Sequence, residues 1–427
     1  MDSMHHNPRV HVRWVALLAA AVAPSSCALL SDFEGLTSDG AETVDASDAH
    51  HEADAVAEDA GSDAADGASE SETDGTSGDV LDALDALDAD APAEEPGVPV
   101  LIASCAGNAW ALALEGDEVF WTSHNVPTGT ALGSAVHKAS LGCRSGDCGT
   151  ELAFFSEVAK LSDIAIDKTW VYFGENRAQG RILRVARAGG EPEVLAKEQA
   201  YPYGLAADPS YVYWTGEDAQ VKGYLRRAFK TAAQVDGGDA LAHTLLAGLD
   251  HPGLLAWDEY SAWLFWGSSH ALAVHTCYPM TVDAGQDKCQ GEKKLTFGAG
   301  SQPDAGITAE LFKLATDGSH VYWREGLYVH GVPTSGAVRR IDKVGTQGSE
   351  VVADGETCLI PRWISLRGQH VYWTAPDGRV YRTSKTPGMP ITAINDEPVP
   401  GLHSVVALDD AVYVTSWTSC ALYRIGL

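Results

Sequence analysis

Lysine and arginine are scarce in this chain, and one long segment has neither. The 427 residues contain 29 Lys and Arg against 59 Asp and Glu, and the formal net charge is -30. Residues 31–97 hold 22 of the acidic residues, whereas residues 98–427 hold 36 acidic and 27 basic residues. Because such a chain repels phosphate, its charge argues against nucleic acid as a partner.

Long hydrophobic runs are also missing. The apolar run at residues 14–23 has ten residues, about half of the ~20 that a membrane-spanning helix needs. Arg9 and Arg13 precede it, and small residues follow it up to Cys27. This arrangement predicts a signal peptide over residues 1–26. No other segment could span a bilayer.

The stretch Pro24-Ser25-Ser26-Cys27 resembles the lipobox of bacterial lipoproteins. The resemblance implies that Cys27 becomes the acylated N-terminus and anchors the protein in a membrane. Ala28, where some lipoproteins carry Asp, resembles the signal for the outer membrane, so we expect an outer-membrane or cell-surface protein. Pro24 departs from the usual aliphatic residue, which leaves an alternative: cleavage after Ala28 and a periplasmic or secreted protein.

Residues 27–97 form the second predicted region. Their Asp, Ala, Glu, Ser and Gly residues show neither a helical stripe nor a strand alternation, and their charge has no internal counterion. This composition predicts a disordered acidic linker that carries the lipid anchor. A calcium site is the alternative, but the glycine-turned loop with a bidentate Glu is absent.

Residues 98–427 repeat one pattern seven times. Each copy has a short apolar strand, a turn that usually contains Asp, and a second strand of the Val-Tyr-Trp type, as in Leu205-Ala-Ala-Asp-Pro-Ser-Tyr-Val-Tyr-Trp-Thr215. The equivalent anchor positions lie 41 to 57 residues apart: Trp121, Phe173, Trp214, Trp266, Trp323, Trp373 and Val414. This spacing brackets the ~40–50-residue period of propeller blades. The sequence therefore predicts an all-β, seven-bladed β-propeller.

Third and fourth strands complete each predicted blade. Gly180-Arg-Ile-Leu-Arg-Val185 and Glu193-Val-Leu-Ala196 are examples, so a blade should have four antiparallel strands. The seventh copy stops after its third strand, whereas residues 98–104 match the fourth-strand pattern. We therefore expect the N-terminal strand to close the last blade, which removes exposed sheet edges.

Tyr213-Trp214-Thr215 and Tyr372-Trp373-Thr374 resemble the Tyr-Trp-Thr-Asp propellers of lipoprotein-receptor ectodomains. Residues 98–427 resemble more closely the propeller lipoproteins of bacteria that have long acidic leaders. Gly216 and Ala375 replace the Asp of the receptors, which have six blades, so their inter-blade network does not carry over. The resemblance implies a binding surface for a protein, peptide or glycan, and we predict a monomer without a cofactor.

Seven cysteines remain besides Cys27, in a compartment that permits disulfides. Two pairs flank the predicted turns between third and fourth strands: Cys143 with Cys148, and Cys277 with Cys289. Closure of the ring would place Cys420 beside Cys105, so we predict a third disulfide there and a free thiol at Cys358. The pairs lack the close ligand spacing of zinc sites, and we predict no metal.

Catalytic motifs are absent: the sequence has no Gly-x-Ser-x-Gly, His-Glu-x-x-His or phosphate-binding glycine loop. The repeated Asp167, Asp208, Asp258 and Asp317 are expected to cap the turns between first and second strands. The chain is therefore more consistent with a binding protein than with an enzyme. The alternative is a propeller hydrolase or lyase that uses Glu175, Glu217, Asp218 or His270 at the mouth of the channel.

Aromatic and charged residues that do not repeat collect in the loops at one end of the predicted propeller, where His124 and His403 also fall. Fold symmetry places several of them around the channel, where they could bind a sugar or a peptide. The predicted ligand-binding residues are Trp110, Tyr203, Phe312, Arg362, Trp363 and Trp417. The alternative is that these aromatic side chains only seal the gaps between blades.

Overall fold

A computed structural model of the chain describes residues 95–427, apart from residues 129–131, 159, 221, 232–241, 269–272, 283–285, 297–306, 330–331, 346–347 and 356–362. The predicted signal peptide, Cys27, residues 28–94 of the linker, Cys358 and Arg362 lie outside the described residues. Within the described ranges, no helix is long and apolar enough to cross a membrane.

The domain is a propeller of seven four-stranded antiparallel sheets, as the repeat predicts. Blades 1 to 3 each use four consecutive strands. Blade 1 contains β2 Asn108–Glu115, β3 Glu118–Pro127, β4 Leu132–Ser140 and β5 Thr150–Phe155; blade 2 contains β6 Leu161–Ile166, β7 Trp170–Glu175, β8 Gly180–Ala186 and β9 Glu193–Gln199; blade 3 contains β10 Pro202–Ala207, β11 Tyr211–Glu217, β12 Gly223–Phe229 and β13 His243–Leu249.

Blades 4 to 6 have the same consecutive order. Blade 4 contains β14 Pro252–Asp258, β15 Trp263–Ser268, β16 Ala273–Val282 and β17 Gln286–Thr296; blade 5 contains β18 Ile307–Thr316, β19 His320–Val329, β20 Val332–Asp342 and β21 Glu350–Gly355; blade 6 contains β22 Ile364–Arg367, β23 His370–Thr374, β24 Val380–Ser384 and β25 Thr392–Ala393.

Blade 7 joins the two ends of the domain. Its strands are β26 Leu402–Ala407, β27 Ala411–Ser416, β28 Ala421–Gly426 and, at the outer edge, β1 Pro99–Ser104. Ser104 pairs with Ala421 in the antiparallel register, and Cys105 is bonded to Cys420, with a Cα–Cα distance of 5.1 Å. The predicted closure and all three predicted disulfides are therefore present.

The first strands of neighbouring blades contact one another and form the innermost ring. Connections between blades and connections from second to third strands lie at one end of this ring, which we call the mouth end. The opposite end, with the turns from first to second and from third to fourth strands, is the turn end. Apolar side chains of the inner ring, including Leu161, Leu254 and Leu402, belong to one hydrophobic cluster.

The repeated tryptophans are buried within the blades. Trp121, Trp214 and Trp323 are completely covered. In several blades a flat side chain on the third strand stacks on the indole directly across the sheet: His137 lies 5.2 Å from Trp121 between ring centroids, and His275 lies 5.4 Å from Trp266. Such cross-strand pairs stabilise a sheet beyond the burial of apolar area.

The threonine that follows the anchor position links neighbouring blades. Thr215 Oγ1 accepts a hydrogen bond from the amide of Gly204 in its own blade and donates to the carbonyl of Gly253 in the next, over 3.1 and 2.8 Å. Thr374 donates in the same way to the carbonyl of His403, over 2.6 Å. Burial of these hydroxyls is tolerated because each has its partners.

At the turn end, the repeated aspartates cap their turns as predicted. Asp167 Oδ1 accepts from the amides of Thr169 and Trp170, both at 2.9 Å. Asp208, Asp258 and Asp317 accept equivalent bonds in blades 3, 4 and 5. Asp167, Asp208 and Asp317 also accept hydrogen bonds from tyrosine hydroxyls of the second strands, as from Tyr172 to Asp167 at 2.8 Å.

A basic residue of the next blade completes this arrangement. Lys230 Nζ lies 2.7 Å from Asp167 Oδ2, and Lys385 Nζ lies 3.0 Å from Asp317 Oδ2. Each basic residue ends an Arg-x-x-Lys or Arg-x-x-Arg pattern at the end of a third strand: Arg184 to Arg187, Arg227 to Lys230, Arg340 to Lys343, and Arg382 to Lys385. These charge-assisted bonds connect neighbouring blades at the turn end.

Candidate functional site

Three of the predicted ligand-binding residues meet at the mouth end. Trp110 is the third residue of the inner strand of blade 1, Trp363 directly precedes that of blade 6, and Trp417 directly follows β27 of blade 7. Trp110 and Trp417 are half-buried, whereas Trp363 is only 3% exposed. Trp363 is therefore a packed residue and not a surface for a ligand.

The structure describes only one of the other three predicted residues in full. Tyr203, on β10 of blade 3, is half-buried against the hydrophobic cluster of the inner ring. Phe312 lies on β18, but its side chain is outside the described residues, as is the whole of Arg362. Their predicted role in binding stays a prediction.

Two histidines join the tryptophans into one group, which we call the mouth cluster: Trp110, His124, Trp363, His403 and Trp417. The His403 ring lies 4.2 Å from that of Trp110 and 5.5 Å from that of Trp363. His124 stacks on Trp110 at 5.3 Å. The indoles of Trp110 and Trp417 are 5.4 Å apart and inclined by 68°, so they form a corner.

Closure of the ring holds the backbone of this cluster. The carbonyl of Trp110 accepts hydrogen bonds from Ser404 Oγ and, over 3.4 Å, from Thr415 Oγ1, both in blade 7. Asn108 Nδ2 donates to the carbonyl of Trp417 over 3.0 Å. Along the chain, these bonds lie close to the disulfide between Cys105 and Cys420, which joins the third and fourth strands of blade 7.

His124 is a buried, neutral member of the cluster. Its side chain is 3% exposed, and Nε2 has no hydrogen-bond partner among the described residues. Burial lowers the pKa of His124 to about 3, and the positive charge of Lys160 acts in the same direction. A neutral imidazole offers one acceptor nitrogen, and leaving such an atom unpaired costs about 1–3 kcal/mol.

An ion pair crosses the channel beneath the cluster. Lys313 on β18 of blade 5 places Nζ 3.0 Å from Oδ2 of Asp163 on β6 of blade 2. Asp163 is 1% exposed. The ammonium group of Lys313 also lies 4.4 Å from the ring centroid of Trp363. The two charges compensate each other, so the interior below the mouth cluster has no net charge from this pair.

Two of the three carboxylates proposed for an enzyme, Glu175 and Asp218, have partners within the fold. Glu175 is fully buried and paired with Arg177, at 2.8 Å, and with Arg181. Asp218 Oδ1 accepts from the amides of Gln220 and Lys222, at 2.9 and 2.8 Å. His270 lies outside the described residues. In the parts of the chain that are described, no group of three or more His, Cys, Asp or Glu residues could hold a metal ion.

Sequence reasoning missed the chemistry that connects the predicted tryptophans. His124 and His403 fall in the loops assigned to this end, but nothing in the repeat indicates that they contact Trp110. Asp163 is the one charged residue of β6, and Lys313 shares β18 with Glu310. A charge in an inner strand is unusual enough to mark its position, but the sequence does not show that these two residues pair.

Comparison with known proteins supports the fold. No protein-family model matches the sequence, and no curated protein is similar to it. Among solved structures, the chain is similar to the β-propeller domain of Cps50 (Swd1) from Myceliophteria thermophila, with 7% identity, 76% of this chain and 98% of that chain covered, and a TM-score of 0.52. It is also similar to a chain in the crystal structure of a nidogen/laminin complex, with 17% identity, 61% and 89% coverage, and a TM-score of 0.42.

Proposed function

We propose that this protein is a membrane-tethered binding protein whose ligand docks on the mouth cluster. The observation that carries the proposal is the corner formed by Trp110 and Trp417, two partly exposed indoles whose backbone carbonyls accept hydrogen bonds between blades 1 and 7. Tryptophans in such positions are frequent anchors of binding sites because they offer a large, rigid, amphipathic surface.

The tether belongs to the same proposal. Cys27 follows the signal-peptide core and would carry the lipid, and the acidic linker would hold the propeller away from the membrane. As a random coil, about 67 residues have an end-to-end distance of roughly 45 Å, and mutual repulsion of the carboxylates lengthens it. The propeller would then reach ligands at or beyond the outer membrane.

Two experiments test the proposal. Cys27→Ser should move the protein from the detergent phase to the soluble fraction; retention of this variant in the membrane would contradict the lipid anchor. For binding, a thermal-shift screen of glycans and peptides is run on the full chain and on Trp417→Ala. Ligands that stabilise the wild type and not the variant support the mouth cluster as the site. Stabilisation that is equal in both proteins, for every ligand found, would contradict it.

A further inference from the structure

We propose that the ligand of the mouth cluster is a neutral oligosaccharide, with one sugar ring against Trp417 and Trp110 and one hydroxyl donating to Nε2 of His124. This inference rests on the proposed function and narrows it to one class of ligand. Three properties of the cluster lead to it: the neutral side chains of its tryptophans and of His124, the hydrogen bonds that its backbone carbonyls already accept, and the unpaired acceptor of His124.

The three tryptophans of the cluster are uncharged. His124 stays neutral because its pKa is lowered to about 3, and the charge of Lys313 is compensated by Asp163 at 3.0 Å. Lys160 is the one neighbouring cation that acts on His124 in the described chain. Such a site offers an ionic ligand little opposite charge to offset the cost of removing its charge from water. That cost is much smaller for an uncharged ligand.

The backbone of the cluster is already hydrogen-bonded. The carbonyl of Trp110 accepts from Ser404 and Thr415, that of Trp417 accepts from Asn108, and that of Trp363 accepts from the amide of Thr374 at 3.2 Å. An extended peptide that adds to a sheet edge needs main-chain partners. Because these carbonyls are engaged, the cluster offers ring surfaces and not a backbone ladder.

Ring surfaces together with a buried acceptor match a sugar. A pyranose has an apolar face of C–H groups that packs on an aromatic ring, and hydroxyls at its edge that donate hydrogen bonds. Nε2 of His124 has no partner among the described residues, and the His124 ring contacts both Trp110 and Trp417. A hydroxyl that enters beside these indoles would satisfy an acceptor that is otherwise costly to bury.

The test is isothermal titration of the full chain, in a detergent without a sugar headgroup, with defined probes. The neutral probes are hexasaccharides of β-1,4-linked glucose, β-1,4-linked N-acetylglucosamine, β-1,4-linked mannose and α-1,4-linked glucose. An oligogalacturonate of equal length is the anionic probe, and a mixture of uncharged and acidic decapeptides is the peptide probe. The variants are Trp417→Ala, His124→Phe and, as a control at the turn end, Tyr260→Ala, whose side chain is 73% exposed.

We expect at least one neutral hexasaccharide to bind, with affinity at least about tenfold weaker in Trp417→Ala, since losing a central aromatic anchor has large effects. His124→Phe keeps an aromatic ring and loses the acceptor, so its affinity should fall roughly threefold to tenfold, which is the usual range for one hydrogen bond. Tyr260→Ala should bind like the wild type.

Other outcomes separate this inference from the proposed function. The oligogalacturonate or the peptides could bind in a way that depends on Trp417, while no neutral hexasaccharide binds. This result would overturn the inference and leave the mouth cluster as a binding site. Binding of a neutral hexasaccharide that is unchanged in Trp417→Ala and His124→Phe overturns the placement of the sugar. If none of the probes shows binding that depends on Trp417, both proposals lose their support.

Discussion

The two ends of the propeller are built from different kinds of residue. At the turn end, the same contacts recur from blade to blade: an Asp caps a turn, a Tyr hydroxyl donates to it, and a Lys of the next blade pairs with it. At the mouth end, the aromatic contacts involve three blades. Blade 1 contributes Trp110 and His124, blade 7 contributes His403 and Trp417, and blade 6 contributes Trp363.

This difference separates contacts that the fold requires from contacts that it does not require. Every blade has to be joined to its neighbours, so closure of the ring explains a contact that recurs from blade to blade. It does not explain the mouth cluster, which does not recur among the described residues. Half-exposed aromatic rings in such a cluster are consistent with a site for a ligand. The predictions below test whether the two ends differ in this way.

The largest expected loss of stability follows removal of the Cys105–Cys420 disulfide at the mouth end. Cys105→Ser with Cys420→Ser removes a link between residues 315 positions apart, and the free energy of unfolding should fall by up to ~4–5 kcal/mol in the chain-entropy model. Cys143→Ser with Cys148→Ser, at the turn end, opens a loop with a separation of 5, and should cost about 2 kcal/mol. Urea unfolding of the two double variants measures the difference. An equal loss of free energy would show that the disulfide between the ends of the domain stabilises the protein no more than the short-range one does.

The next effect concerns the pH dependence of stability at the mouth end. The pKa of His124 is about 3 in the folded protein and about 6.5 in the unfolded chain. Between these values the unfolded chain binds a proton that the folded protein does not, so stability falls as the pH falls from 6.5 towards 3. From pH 7 to about pH 4.5 this group should remove about 2–3 kcal/mol.

His124→Phe should reduce that loss, while His137, whose pKa burial lowers to about 4, keeps its own contribution in both proteins. Urea unfolding of wild type and variant at the two pH values measures the change. Identical pH dependence in the two proteins would mean that His124 is not buried in its neutral form.

A smaller loss of stability is expected from one ionic link at the turn end. Lys230→Met leaves the carboxylate of Asp167 without its 2.7 Å partner, and the partly buried pair should be worth about 1–2 kcal/mol. The matched control is Arg367→Met, because the pair Arg367–Asp409 has side chains 45% and 78% exposed, and solvent screens such a pair so that it contributes little to stability. A double-mutant cycle with Asp167→Asn measures the coupling; a coupling no larger than that of the surface pair contradicts the role assigned to Lys230.

The smallest effect on stability is expected for Trp417→Ala. Its indole is half-exposed at the edge of the mouth cluster, so the variant should lose about 1 kcal/mol or less, against ~3–5 kcal/mol for Trp121→Ala, whose side chain is fully buried. Thermal unfolding compares the two. A loss in Trp417→Ala as large as that in Trp121→Ala would assign Trp417 to the core and remove it from the candidate site.

The sequence predicts the repeated parts of this molecule well, because repetition supplies the signal. Seven Val-Tyr-Trp-like strands give the number of blades, and the spacing of Cys105 and Cys420 relative to the strands gives the disulfide between them. The pattern Arg-x-x-Lys after third strands was also available, but its meaning depends on the neighbouring blade. The ionic links were therefore found only in the folded chain.

The candidate site could be predicted in part. Symmetry places Trp110, Trp363 and Trp417 at one end, but it does not indicate how deep a side chain lies, and Trp363 is buried under the cluster. The contacts of His124 and His403 with Trp110 join residues up to 293 positions apart, and the pair Asp163–Lys313 joins blades 2 and 5. Such contacts depend on side-chain direction across the ring, which no local pattern encodes.

The most direct measurement compares the two ends in one experiment. Ligand-induced shifts in melting temperature are recorded for the full chain, two mouth variants (Trp417→Ala and His124→Phe) and two turn-end variants (Lys230→Met and Lys385→Met). The account predicts that the mouth variants lose most of the ligand-induced shift, whereas the turn-end variants melt at lower temperature and keep the full shift. The opposite result would contradict the assignment of binding to the mouth cluster: the turn-end variants would lose the ligand-induced shift in melting temperature, and the mouth variants would keep it.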